Sequence, residues 1–351
     1  MRDTGALQVR HTQKTLLFVH CLITADSTHS RNTHAVQVYE LDGLDMKRVA
    51  EVETPHGLKC GTFGACSPAT PVLATGSSRG ELNTWDLSRL DTATWAVPAA
   101  HGSRPVNAVD GVAGGRPGLG APELATAGAD GRVCVWDPRV RDAPVLVLEP
   151  EAGCAHNAWA VAFGDVGDAD SRCLAAGYDN GDVKLFDLRT GTARYECNVG
   201  NGVVALEFDR REIAMNTLAV SCLDSMLHVI DCRTQHPEHG MARASVRCPA
   251  GATLWGAKHT PQNRDVFMVH AGNGGMFLYK YRYPDARSVN NKDDRPMGVA
   301  GAIDLIAQTR TATAQPVHCF DWNRDKEGLA VYGSYDQCLR IMTVTGLSKL
   351  G

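Results

Sequence analysis

Short runs in which apolar residues alternate with polar ones recur along the whole chain, each opening on a turn and closing on an aromatic or bulky apolar residue. The clearest reads GADGRVCVWD (residues 128–137), where alternation puts Val133 and Val135 on one face of a strand and Arg132 and Cys134 on the other. The line returns as SRGELNTWD (78–86), DNGDVKLFD (179–187) and LDSMLHVID (223–231). Weaker copies read HAVQVYE (34–40), NGGMFLYK (273–280) and DQCLRIMT (336–343). The closing positions are Tyr39, Trp85, Trp136, Phe186, Ile230, Tyr279 and Met342, with gaps of 46, 51, 50, 44, 49 and 63 residues. Around Trp136 the pattern predicts four strands, PVNAV (105–109), ELATA (123–127), RVCVW (132–136) and APVLVLE (143–149). Seven such units at this period predict an all-β, seven-bladed propeller, so the 351 residues read as one repeat domain rather than two or three unrelated ones.

The blades are expected at about residues 14–56, 57–100, 101–150, 151–200, 201–248, 249–284 and 312–345. Nine residues follow Met342, too few for a turn and another strand. Residues 6–11 (ALQVRH) alternate correctly and are expected to supply the outer strand of the blade holding Trp322 and Met342, closing the ring and hiding an edge. The wide gap before Met342 contains PDARSVNNKDDRPMG (284–298), which is polar and Pro-punctuated and reads as an exposed loop. Asp130, Asp224 and Asp336 lie six residues before the closing position, and Asn180 and Asn273 take that place in two more units. Such side chains hydrogen-bond the local backbone and tolerate the left-handed region that tight turns use.

Composition narrows the function. Hydrophobic content of 44%, 35 glycines and 21% charged residues suit short buried strands joined by tight turns. A net charge of −4 leaves no basic footprint for nucleic acid. No apolar run reaches the ~20 residues of a membrane span, and MRDTGALQVRHTQK at the N-terminus lacks a signal-peptide core. The 12 cysteines are scattered without a CxxC, as expected of reduced core thiols in a cytoplasmic protein. No P-loop and no paired Cys/His zinc spacing occurs. His236 and His239 are three residues apart without a third ligand, so a solvated loop is a better reading than zinc. No catalytic residue, cofactor or metal is expected.

Two residue groups stand out. His101, Thr126, Asp130 and Trp136 have the spacing of the structural tetrad of WD40 repeats, a hydrogen-bond relay tying a loop to the sheet. Repeat context favours that role over a nucleophilic triad. Aligning blades on Phe63, Phe163, Phe208, His259 and Trp322 brings Lys59, Trp159, Val204, Trp255 and His318 to one equivalent position. In WD40 blades this position opens toward the mouth of the central channel. Lys59, Trp159, Trp255 and His318 are therefore the candidate protein-binding residues, being aromatic and polar together. The competing reading is that the tryptophans pack under neighbouring loops.

Several stretches go beyond the generic repeat: KCGTFGA (59–65), GAPELAT (120–126), VWDPR (135–139), WAVAFG (159–164), AGYDNGDVKLFDLR (176–189) and NGVVALEFDRREIAMN (201–216). TQHP (234–237), PQNR (261–264), GVAG (298–301) and QPV (315–317) follow in order. Together they resemble the Monad type of WD40 propeller, a family of cytoplasmic assembly factors for axonemal dynein. The resemblance implies a non-enzymatic adaptor of the heat-shock-protein-90 co-chaperone machinery built around RuvB-like ATPases and a prefoldin-like module. It implies co-chaperone subunits and dynein heavy chains as partners of a chain that is a monomer within a larger complex. The alternative is a generic WD40 peptide-motif reader or scaffold subunit of a nuclear or ubiquitin-ligase complex.

Overall fold

The structure, a computed structural model, describes residues 7–12, 15–25, 32–42, 45–65, 72–112, 123–140, 143–150, 156–168, 170–209, 214–236, 240–290, 294–309 and 312–350. Among these no α-helix occurs, and the alternating runs form antiparallel sheets throughout. Six sheets have four strands each, spanning residues 7–54, 58–97, 106–148, 158–198, 203–247 and 254–309. They are the blades of a β-propeller. The second strand of a blade is covered on both faces and reads as a continuous small or apolar run, as in Cys173–Tyr178 and Val266–Ala271, every residue of which is buried. Burial pushes the thiols of Cys134, Cys173 and Cys222 up to about 12, which leaves them unreactive packing groups.

The chain divides into two compact units, residues 1–161 with 319–345, and residues 162–318 with 346–351. In the first, Val36, Val38, Leu58, Leu73 and Trp85 fill the space between the first two sheets. Cys60, Ala74, Leu82, Val106, Leu124 and Trp136 fill the next. In the second, Leu227, Val229, Leu254, Phe267, Phe277 and Tyr279 pack the fifth sheet on the sixth. Each fully buried side chain of this size contributes about 1.5–3 kcal/mol.

Seven complete blades were expected from the repeat, and six are found among the described residues. The segment holding Trp322 and Met342 makes a three-stranded sheet of Val317–Trp322, Leu329–Ser334 and Leu339–Thr343. Of the residues 6–11 expected to complete it, those described, 7–11, do not. Strand Leu7–Thr12 pairs with Thr15–Ala25 in the first sheet, from Leu7 opposite His20 to Thr12 opposite Thr15. It lies beside Leu329–Ser334 without joining that sheet. The physical reason is proximity along the chain: a hairpin closed over two residues loses far less entropy than pairing across the whole sequence.

The exposed loop expected at 284–298 holds strands in its described residues, 284–290 and 294–298. It is mostly exposed but contains a hairpin, Ser288–Asn290 with Pro296–Gly298. The hairpin lies along the long strand Met226–His236 of the fifth sheet, where a Cβ on Gly298 would stand 2.7 Å from Thr234. Arg287 reaches the wholly buried Asp231 carboxylate at 3.4 Å and stacks over Tyr283 at 4.3 Å. After the hairpin the chain returns to the sixth sheet as its outer strand, Ala302–Thr309, which the alternation had not revealed.

Candidate functional site

The third blade carries a continuous hydrogen-bond relay. Trp136 Nε1 donates to Thr126 Oγ1 at 2.9 Å, and Thr126 Oγ1 lies 2.8 Å from His101 Nε2. His101 Nδ1 lies 2.8 Å from Asp130 Oδ1, which also accepts the Arg132 backbone N–H at 3.1 Å. Donor and acceptor inventories fix the direction. A carboxylate only accepts, so Nδ1 carries the proton; with a neutral imidazole, Nε2 then accepts from the threonine hydroxyl, which passes the polarity from indole to imidazole. Burial acts to raise the Asp130 carboxyl, but the His101 contact and the Arg132 N–H outweigh it and hold it below the usual carboxylate range. Gly128 leaves room for the imidazole, since a Cβ there would stand 2.1 Å from His101 Nδ1. With its nucleophile candidate buried and both neighbours committed, the relay braces the turn at 129–132 against the sheet. The second blade has half of the same device, Trp85 Nε1 donating to Thr75 Oγ1 at 2.8 Å. The parallel between LATGS (73–77) and LATAG (124–128) was the available signal for it.

The slot residues sit where first strands begin. Lys59, Trp159, Val204, Trp255 and His318 are each the second residue of their strand, and all are half-buried. The third blade supplies Asn107 at the same place, in Val106–Gly111. It was missed because the third blade has no aromatic at the alignment position. Asn107 links its neighbours within the first unit: Lys59 Nζ donates to Asn107 Oδ1 at 3.1 Å, and Asn107 Nδ2 donates to the Ala158 carbonyl at 2.9 Å. Trp159 follows directly in the strand. In the second unit the Trp255 indole lies close over Gly272, whose Cβ would be 3.3 Å from Nε1. First-strand positions also carry Glu207, which lies 3.1 Å from Lys258 Nζ and accepts the His259 N–H at 3.0 Å. Burial works to raise this carboxyl, yet Lys258 and His259 win and bring it down to about 2.

Two buried histidines titrate far from their ordinary value. His228 Nδ1 lies 2.7 Å from Ser245 Oγ, and burial together with Arg243 lowers it from 6.5 to about 4. His270 Nδ1 lies 3.0 Å from the Val317 carbonyl. Burial lowers it to about 4 against the opposing effect of that bond. A histidine depressed in the folded state contributes its stability fully above the unfolded value and loses it as pH falls. Denaturant titrations should therefore show stability declining from pH 6.5 toward 4, by up to about 1.4 kcal/mol per pH unit for each histidine. A flat profile across that window would refute neutral burial of this pair.

No group of three or more metal-ligating side chains is assembled among the described residues. The nine cysteines described are free, and no helix is long and apolar enough to cross a membrane. His236 ends its strand, while His239 lies outside the described residues.

No family model matches the sequence, but curated proteins do along most of its length. Dynein axonemal assembly factor 10 of Chlamydomonas reinhardtii is 51% identical over 324 residues, which span 92% of this chain and 90% of that protein. The proteins of the same name from Xenopus tropicalis and Homo sapiens are 46% and 44% identical over 322 residues, covering 92% of this chain and 89% of each relative. Among solved structures, a chain in the crystal structure of the mitotic checkpoint complex superposes with a TM-score of 0.70, covering 98% of this chain and 91% of that one. At 15% identity that likeness concerns the fold alone. Identity of this order, sustained over nine-tenths of the sequence, means that the chain belongs to the dynein axonemal assembly factor 10 family.

Proposed function

We propose that this chain is a non-enzymatic adaptor that helps axonemal dynein assemble in the cytoplasm, working beside the heat-shock-protein-90 co-chaperone machinery. One observation carries the reading: relatives matching over 92% of the chain are named dynein axonemal assembly factor 10. Those relatives are assembly factors on a propeller fold, which is not an enzyme family. Surfaces are then the means of action. The half-exposed first-strand residues, Lys59 and Trp159 in one unit and Trp255 and His318 in the other, are the ones proposed to meet partners. Tryptophan there offers large contact area with a polar edge at small entropic cost.

The test is affinity purification with mass spectrometry from a flagellated cell. Chaperone subunits and dynein heavy chains are expected with the parent protein. Trp159→Ala combined with Trp255→Ala should reduce their recovery at least fivefold more than Val49→Ala combined with Val145→Ala, two exposed outer residues (about 1 kcal/mol, a modest hot spot). Folded tryptophan variants that keep every partner at parental levels would move the binding surface elsewhere.

A further inference from the structure

One end of the first unit presents two exposed arginines without ion-pair partners among the described residues, in a chain whose net charge is −4. The loops there are stitched in series. Ser78 N donates to the Gly57 carbonyl at 2.7 Å, His101 N to the Gly80 carbonyl at 3.2 Å, and Ala129 N to the Pro105 carbonyl at 2.9 Å. The His156 carbonyl lies against Gly131. These loops, residues 55–57, 78–81, 102–105, 129–132 and the described parts of 149–157, carry Arg79, Arg104 and Arg132 together with the acids Glu81, Asp130 and Glu149. Glu81 is engaged with His56 at 3.0 Å and Asp130 with His101 at 2.8 Å. Arg132 reaches Glu149 at 3.2 Å. Arg79 and Arg104 are exposed, and neither guanidinium has an ion-pair partner among the described residues. Their loops adjoin through the His101–Gly80 bond, and Lys59, Asn107 and Trp159 begin the strands that leave these loops.

We infer that this end of the first unit binds an acidic, extended segment of a partner protein, with Arg79, Arg104 and Lys59 receiving carboxylates and Trp159 supplying the apolar contact. The inference rests on the adaptor reading above and names the chemistry of what its first-strand surface takes. Guanidinium groups pair carboxylates bidentately, whereas exposed single ion pairs are weak, so several acids in one segment are needed together with the indole. Unpaired positive charge beside an apolar contact also speeds encounter with acidic partners.

The experiment is fluorescence anisotropy of the full chain with three labelled peptides of one length: a glutamate-rich peptide containing one leucine, its glutamine counterpart, and its phosphoserine counterpart. The glutamate peptide is expected to bind, more weakly as salt rises, and the glutamine peptide is not. Arg79→Glu with Arg104→Glu should weaken binding at least about tenfold. Arg89→Glu with Arg189→Glu, the same charge change at turns on the far ends of the strands, should leave it unchanged. Equal loss in both pairs would reduce the effect to net charge and overturn the inference, as would binding of the phosphoserine peptide alone or equal binding of the glutamine peptide. Trp159→Ala is measured in parallel. If it abolishes peptide binding while the arginine pair has no effect, the surface stands and its acidic ligand falls. Should neither change matter, and the tryptophan variants keep their cellular partners, both readings fall together.

Discussion

Trp136→Ala is expected to cost about 3–5 kcal/mol of folding stability, the usual range for deleting a large buried aromatic. Trp136 is 2% exposed. It sits in the cluster that packs the second sheet on the third, with its ring edge-to-face against Trp95 at 6.5 Å. Truncation opens a cavity in the cluster that Trp136 shares with Leu82, Leu124 and Cys134. It also strips Thr126 of the indole N–H, the first donor in the relay that runs to Asp130. Trp136→Phe separates the two effects, because it keeps most of the volume and loses only the donor, for about 1–2 kcal/mol. Urea unfolding of the three proteins measures this directly. An alanine variant as stable as the parent that loses partner binding would make Trp136 an interface residue instead of a brace.

The second large effect is expected at Arg264. Its guanidinium reaches from the sixth sheet to the Asp209 carboxylate of the fifth, with Nε at 2.7 Å, and donates to the Ala214 carbonyl at 2.9 Å. The Asp209 side chain is fully buried and also accepts the Asn216 N–H at 3.0 Å. Arg264→Ala would leave a buried carboxylate facing one amide, and breaking a buried pair from one side typically costs about 3–5 kcal/mol. Arg264→Lys should recover only part, since an ammonium cannot serve the carboxylate and the carbonyl in the same planar geometry. Asp209→Asn in the Arg264→Ala background is expected to restore stability by removing the uncompensated charge. Failure of that rescue would mean that the arginine acts by packing and not by charge.

Much of the architecture was legible because alternation and turn chemistry act within a few residues. Val133 and Val135 read as one face from neighbours alone, and the spacing of His101, Thr126, Asp130 and Trp136 grouped residues that a chain of hydrogen bonds joins. What depends on pairing between distant segments was not legible. Leu7–Thr12 alternates equally well as the last strand of one sheet or the first of another, and only the two-residue connection favours the hairpin. Ala302–Thr309 was hidden because the hairpin at 288–298 interrupts the count from strand to strand. The family-like segments PQNR, TQHP and GVAG had no meaning within the repeat. The structure gives them one: Arg264 of the sixth blade meets Asp209 of the fifth, and Gly298 lets the hairpin approach Thr234 of the fifth blade closely. For the slot, the strand position was readable at five blades, but Asn107 was not. Its role as a bridge between Lys59 and the Ala158 carbonyl exists only across neighbouring sheets.

The pairing of Leu7–Thr12 within the first sheet bears on how the protein is made. A ring sealed by joining its two termini must wait for the last codon before its final sheet can form. Here the first sheet uses only residues 7–54, and every strand it needs has left the ribosome while most of the chain is still unsynthesised. The later four-stranded sheets likewise draw on consecutive stretches of chain, so blades can settle in the order of translation with little long-range search. A nascent chain arrested after residue 100 should already protect the backbone amides of its first sheet from hydrogen exchange.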